Sequence, residues 1–94
     1  MNNDLMIKEL RRCGLLTFVT YYSKLSNFSI PDKSLFDLLI KEEGYTLNSA
    51  RTKVRSARNI IKSSKGKEAL TYISKKKSSY ITNKLINTEK SLIS

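Results

Sequence analysis

Apolar residues in the middle of the chain recur at the three- and four-residue spacing of amphipathic α-helices. This pattern predicts one helix from about Lys33 to Glu43 and a second from about Leu47 to Lys65. The first helix is apolar over more than half of its circumference, so we expect its neighbours to cover it on several sides. Its apolar residues are Leu35, Phe36, Leu38, Leu39 and Ile40.

Local signals mark where both helices begin and end. Pro31 fits just before or at the start of the first helix, and Ser34 with Asp37 three residues later resembles a capping box. Gly44 is expected to end this helix in a left-handed conformation. Thr46 is a good N-cap for the second helix, because its hydroxyl can accept an unpaired backbone N–H. We expect Gly66 to end the second helix, whose predicted packing face consists of Ala50, Val54, Ala57, Ile60 and Ile61.

The N-terminal segment also has helical periodicity. Its apolar residues predict a helix over about Asn3 to Asn27, which Gly14 breaks or bends. Residues 15–22 are rich in β-formers, so a strand is an alternative there.

The last third of the sequence allows two structures. Residues 67–94 can form a long helix, which we favour, or residues 71–83 can form a hairpin whose tip contains Lys75, Lys76 and Lys77. The fold class is therefore mainly α, a small helical bundle with a helix-turn-helix and either a C-terminal helix or a basic β-wing. We expect a single domain over residues 1–94, with an N-terminal helical segment at 1–30, the helix-turn-helix at 33–65 and the helix or wing at 67–94.

The net charge of +10 comes entirely from the second half of the chain. Residues 1–44 contain six Lys/Arg and six Asp/Glu, whereas residues 45–94 contain twelve Lys/Arg and only two Asp/Glu. Five basic residues of the second helix are spaced so that they fall within a sector of about 80°. This basic stripe consists of Arg51, Arg55, Arg58, Lys62 and Lys65. A stripe of one sign repels itself, so it predicts a polyanionic ligand.

The composition argues against an enzyme. The chain has no histidine, and its eight carboxylates are scattered, so the usual triads and zinc-ligand sets are missing and we expect no metal and no cofactor. The single cysteine, Cys13, cannot form an internal disulfide, and a cytoplasmic location is the simplest expectation. Arg11 and Arg12 precede Cys13 and could lower its pKa, although a lone cysteine is more often a small packing residue. No stretch is long and apolar enough to predict a membrane span.

The helix, glycine-containing turn and capped helix over residues 36–51 resemble the helix-turn-helix proteins of phages and mobile elements. The resemblance implies that the second helix enters the DNA major groove, although this helix is usually shorter than the one drawn here. The residues that would read base edges are Asn48, Ser49, Arg51 and Thr52. Farther along the helix, Arg55, Arg58 and Lys62 are expected near phosphates. The further candidate nucleic-acid-binding residues are Lys65, Lys75, Lys76 and Lys77.

The sequence thus predicts a nucleic-acid-binding protein, most simply a small DNA-binding regulator of a bacterium, phage or mobile element. Duplex DNA is the preferred partner, and single-stranded DNA is an alternative. A second hypothesis is an accessory subunit that holds single-stranded DNA or RNA for a polymerase, primase or helicase. Its bases would stack on tyrosines chosen from Tyr21, Tyr22, Tyr45, Tyr72 and Tyr80. An inhibitor of a nucleic-acid enzyme, a protein partner or homodimer, and a basic helix that is merely solvated are further alternatives.

Overall fold

A computed structural model of the chain describes residues 1–75, and every element in that range is helical. The helices are α1 (Asn3–Cys13), α2 (Leu15–Thr20), α3 (Tyr22–Leu25), α4 (Asp32–Glu43), α5 (Leu47–Lys62) and α6 (Gly66–Ser74). The prediction of a mainly α fold is confirmed for this part of the chain. Lys76, Lys77 and the rest of the predicted C-terminal helix or wing lie outside the described residues.

The central helix is α5, which packs against α1 on one side and against α4 on the other. Four of the five residues predicted for its packing face are fully buried, and Ile61 is half-buried against the same core. Those four residues are Ala50, Val54, Ala57 and Ile60. Because α5 is enclosed on two sides, only a limited part of its circumference can meet a ligand.

The helices α1 and α5 run antiparallel. Lys53 donates from Nζ to the carbonyl oxygen of Cys13 at 3.0 Å. Farther along α5, Asn59 donates from Nδ2 to Glu9 Oε2 at 3.2 Å, one turn earlier on α1. A later residue of α5 thus meets an earlier residue of α1.

The helices α4 and α5 also lie side by side. Asp32 and Arg58 are each about 17 Å from the connecting turn along their own helices, at about 1.5 Å per residue. Their side chains nevertheless form an ion pair. Two helices that crossed at about 90–120°, as in a helix-turn-helix, would separate these residues by more than two side chains span. The expected order of helix, glycine turn and helix is present, but the two helices are nearly antiparallel.

The glycine and threonine between α4 and α5 act as the sequence predicts. Gly44 has φ +72° and ψ 20°, which is the left-handed conformation that ends a helix. The Thr46 hydroxyl accepts the Ser49 N–H at 3.1 Å and caps α5. The predicted capping box at Ser34 is wrong, because α4 already begins at Asp32 and has no side-chain cap.

The end of α5 differs from the prediction. The helix stops at Lys62, and Ser64 takes the left-handed conformation with φ +61°. The N–H of Ser64 donates to Ile61 and the N–H of Lys65 to Ile60, each at 3.0 Å, which completes a Schellman cap without glycine. Gly66 is therefore free to begin α6. A Cβ placed there would lie only 2.6 Å from the Tyr22 hydroxyl, so close packing explains this glycine.

The N-terminal segment is helical, and the strand alternative for residues 15–22 is wrong. Gly14, with φ +92°, breaks the segment between α1 and α2 as predicted. Residues 15–22 contribute Phe18, Val19 and Tyr22 to the core, so their bulky side chains pack from helices. In the C-terminal third, Thr71 to Ser74 belong to α6, which removes the first strand of the alternative hairpin.

The covering of α4 is narrower than its composition suggests. Leu35 and Leu39 are buried, whereas Phe36 and Leu38 are only half-buried. Ile40 is 36% exposed. The helix therefore buries the stripe of Leu35 and Leu39, and Phe36 and Leu38 pack against the core on either side of it.

Candidate functional site

The outward side of α5 is the best candidate for a ligand-binding surface, because it lies between the flanking helices α1 and α4. Five exposed residues recur there every three or four positions, which places them within a sector of about 80°. They are Asn48, Thr52, Arg55, Asn59 and Lys62, and half-buried Arg51 lies at the edge of the sector. We call these six residues the outer face of α5.

This face overlaps only partly with the basic stripe predicted from the sequence. The centre of the basic stripe is turned towards α4 relative to the centre of the exposed sector. This is seen at Arg58, which lies one turn after the buried residue Val54 on the same side of the helix. Arg55 and Lys62 are exposed and Arg51 is half-buried, so the structure brings these three predicted residues together.

Arg58 is not available to a ligand, and its predicted contact with phosphate is wrong. The residue is 5% exposed, and its guanidinium is surrounded by acceptors. It donates from Nε to the carbonyl oxygen of Leu25 at 3.1 Å and from Nη2 to those of Asn27 and Ile30 at 3.0 and 2.8 Å. Its Nη1 forms the ion pair with Asp32. Arg58 therefore fastens the segment before α4 to α5.

The remaining predicted cations lie away from the outer face or outside the described residues. Lys65 is half-buried at the junction of α5 and α6, where its ammonium pairs with Glu68 at 3.0 Å. Lys75 is exposed just after α6. Ser49 is half-buried and its N–H already donates to the Thr46 cap. Lys76 and Lys77 cannot be placed on any surface, because they follow the last described residue.

The outer face carries unpaired positive charge. Arg51, Arg55 and Lys62 form no ion pair with any of residues 1–75. The sequence from Tyr45 to Lys67 contains no acidic residue, so α5 itself supplies no counter-charge. The face is therefore an electropositive surface with polar positions, Asn48 and Thr52, in its N-terminal half.

Arg12 of α1 extends this surface, and the sequence alone gave no indication of it. The buried carboxylate of Glu9 accepts from Arg12 Nη1 at 2.9 Å on one oxygen and from Asn59 on the other. The exposed guanidinium of Arg12 is thereby held beside Asn59 at the edge of the outer face. Only the packing of α1 on α5 creates this arrangement, so no local sequence pattern could have revealed it.

Most of the tyrosines predicted to stack on bases are buried or already contact other side chains. Tyr21 donates its hydroxyl hydrogen to Glu43 Oε1 at 2.7 Å, and Tyr22 is buried. Tyr45 is half-buried, shares a hydrogen bond with Thr17 at 3.0 Å and has Lys53 Nζ 4.8 Å from its ring centroid. Tyr72 is half-buried on α6, and Tyr80 lies outside the described residues.

The exposed aromatic residue beside the outer face is Phe28, in the segment between α3 and α4. Its side chain is 50% exposed. The guanidinium carbon of Arg58 lies 5.1 Å from the ring centroid and Lys62 Nζ lies 5.8 Å from it. No local pattern marks Phe28, because its position depends on Arg58, which lies thirty residues later in the chain.

Burial changes the acid–base chemistry of Cys13 and Tyr21. Desolvation raises the pKa of the Cys13 thiol to about 12, and the charge of Lys53 opposes this only in part. The expected lowering by Arg11 and Arg12 is wrong, because desolvation dominates and the thiol packs in the core. Desolvation, the hydrogen bond to Glu43 and nearby negative charge raise the pKa of Tyr21 above its usual value. Within residues 1–75 no cluster of three or more metal-ligating side chains occurs.

No known protein family matches this chain, and no curated protein or solved structure matches it either. Among residues 1–75, no helix has the length and apolar character required to cross a bilayer.

Proposed function

We propose that this protein binds nucleic acid, and that the outer face of α5 is its contact with the phosphate backbone. The observation that carries the proposal is the set of cations on this face, Arg51, Arg55 and Lys62, which no carboxylate of residues 1–75 neutralises. Arginine and lysine side chains on one surface supply the sequence-independent part of nucleic-acid affinity, because each neutralised phosphate releases counterions.

The repulsion between the positive charges of α5 also supports a polyanionic ligand. Arg51 and Arg55 are four residues apart, and like charges at this spacing destabilise a helix by about 0.2–0.5 kcal/mol. Glu–Lys pairs at the same spacing would stabilise the helix instead. A surface that keeps like charges together at some expense in stability is best explained by a ligand that offsets their repulsion.

A DNA-binding regulator that reads a duplex is the more specific form of this proposal. The exposure of Asn48 and Thr52 supports it, because these side chains occupy the part of α5 that reads bases in helix-turn-helix proteins. The nearly antiparallel packing of α4 on α5 favours contact along the phosphate backbone over deep insertion into a groove. Backbone binding is therefore the general proposal, and base reading is its testable extension.

The salt dependence of binding tests the general proposal. Three or four phosphate contacts, from Arg51, Arg55, Lys62 and Arg12, predict a slope of log K against log salt of about −2.7 to −3.6 on duplex DNA. The double variant Arg55→Ala/Lys62→Ala should flatten this slope by about two. A matched control removes two exposed lysines from other helices, Lys41 of α4 and Lys67 of α6. If the control flattens the slope as much as the test variant, the outer face is not the contact surface.

Base reading is tested by comparing two single variants on a preferred duplex, selected from a random pool, and on random duplex. Arg51→Ala should lose about 1–3 kcal/mol on the preferred sequence and little on the random one. Lys62→Ala should weaken both about equally and flatten the salt slope by about one. If the two variants behave alike on every duplex, α5 does not read sequence.

A further inference from the structure

Phe28 stands on a segment that is held firmly against α5. Arg58 donates to the carbonyl oxygens of Asn27 and Ile30, which lie on either side of the aromatic residue. Within the segment, the Ser29 N–H donates to Asn27 Oδ1 and the Ile30 N–H to Asn27 O, each at 3.0 Å. The exposed ring is therefore presented by a fixed backbone, so little ordering is needed when a ligand binds.

The surroundings of Phe28 combine an aromatic ring with an exposed cation. Both cations lie over the ring. Arg58 is buried beneath the segment, whereas Lys62 is exposed, so a stacking base would displace only the Lys62 ammonium. The half-exposed phenylalanine ring forms no hydrogen bond with water, but it offers a ligand a planar apolar surface. The ligand that matches a ring beside a lysine is a nucleotide, whose base stacks on the ring and whose phosphate pairs with the ammonium.

We propose that Phe28 is a stacking platform for an unpaired base, and that Lys62 binds the phosphate next to it. The inference rests on the proposed function and concerns single-stranded nucleic acid as its ligand, whereas base reading by α5 concerns a duplex. Both faces of a base inside a duplex are covered by neighbouring bases, so a platform at the surface can stack only on a base that is unpaired. Arg55, about two turns before Lys62 on α5, would follow the backbone of the same strand.

The experiment uses three fluorescent probes: a thymidine 12-mer, an abasic 12-mer with the same number of phosphates, and a 12-bp duplex of mixed sequence, which has twice as many phosphates. The unchanged protein should bind the thymidine strand about 5- to 150-fold more tightly than the abasic strand, the range for loss of one stacked base. Phe28→Leu still covers Arg58 but removes the π-surface, and it should lose the same factor on the thymidine strand alone. Phe28→Tyr should retain the binding.

Leu16 provides a matched control, because it is an exposed apolar residue of similar size on α2. Leu16→Ala should leave all three affinities unchanged. If the abasic and thymidine strands bind equally, or if Phe28→Leu weakens the duplex as much as the thymidine strand, the platform is refuted. In that case, the phosphate-binding proposal still holds if Lys62→Ala binds the probes more weakly than the unchanged protein does. Failure of the unchanged protein to bind any of the three probes refutes both proposals.

Discussion

Arg58, three turns into α5, forms an ion pair with Asp32, the first residue of α4, and also binds three carbonyl oxygens of the segment before it. These bonds hold the start of α4 against the C-terminal half of α5, far from the turn that connects the two helices. An arginine that belongs by sequence to a basic stripe is thus part of the framework of the fold.

Arg58→Ala should destabilise the protein by about 2–4 kcal/mol, because three carbonyls and a carboxylate each lose a hydrogen bond or ion pair to the guanidinium. Arg58→Lys should recover only part of this, since a single ammonium cannot reach all four acceptors. Arg55→Ala, one turn earlier on the exposed side, is the matched control and should stay within about 0.5 kcal/mol. Urea denaturation of the three variants makes the measurement. Equal losses for Arg58→Ala and Arg55→Ala would show that Arg58 is not the fastening residue.

Gly66→Ala should destabilise the protein although alanine is the better helix former. The new Cβ would meet the hydroxyl of Tyr22 at 2.6 Å, and the buried ring of Tyr22 has little room to move. We expect a net loss of about 1–3 kcal/mol from overpacking. Adding Tyr22→Phe removes the clashing oxygen and should restore most of the loss. Thermal melts of the two single variants and the double variant complete the cycle, and purely additive effects would contradict the clash.

The Cys13 thiol should be unreactive in the native protein at pH 8. Its pKa rises from 9.0 to about 12 on folding, so the unfolded chain ionises first. The stability due to the protonated thiol is therefore complete below about pH 9 and is lost as the pH rises towards 12. Labelling by iodoacetamide should follow the rate of unfolding, and Cys13→Ala should lessen the fall in stability above pH 9. Rapid labelling of folded protein at pH 8 would contradict the burial of the thiol.

Leu39→Ala should cost about 2–5 kcal/mol, because Leu39 is buried between α4 and α5 and its truncation leaves a cavity. The next residue, Ile40, is partly exposed on the same helix, so Ile40→Ala serves as the control and should cost much less. Chemical denaturation compares the two. Similar losses would mean that α4 packs on α5 with a different face.

Short-range chemistry made the turn between α4 and α5 predictable. Gly44 supplies a left-handed residue and Thr46 supplies a cap, and each acts within four residues of itself. The end of α5 could not be anticipated in the same way, because serine rarely adopts the conformation that Ser64 takes. The role of Gly66 depends on Tyr22, which is distant in sequence.

The candidate site was predictable only in part for the same reason. Helical spacing correctly grouped Arg51, Arg55 and Lys62, because these positions depend only on the geometry of one helix. The burial of Arg58 depends on the segment between α3 and α4, and the placement of Arg12 depends on the packing of α1. Periodicity gives the width of a charged sector, but tertiary contacts decide which part of that sector reaches solvent.

The central position of α5 determines how freely this surface can evolve. Two sides of the helix are committed to α1 and α4, and substitutions there would disturb the fold. On the outward side, Asn48, Thr52, Arg55 and Lys62 are exposed and form no contacts that the core requires. Selection could therefore exchange these four side chains, and with them the ligand preference, while the architecture that presents them remains unchanged.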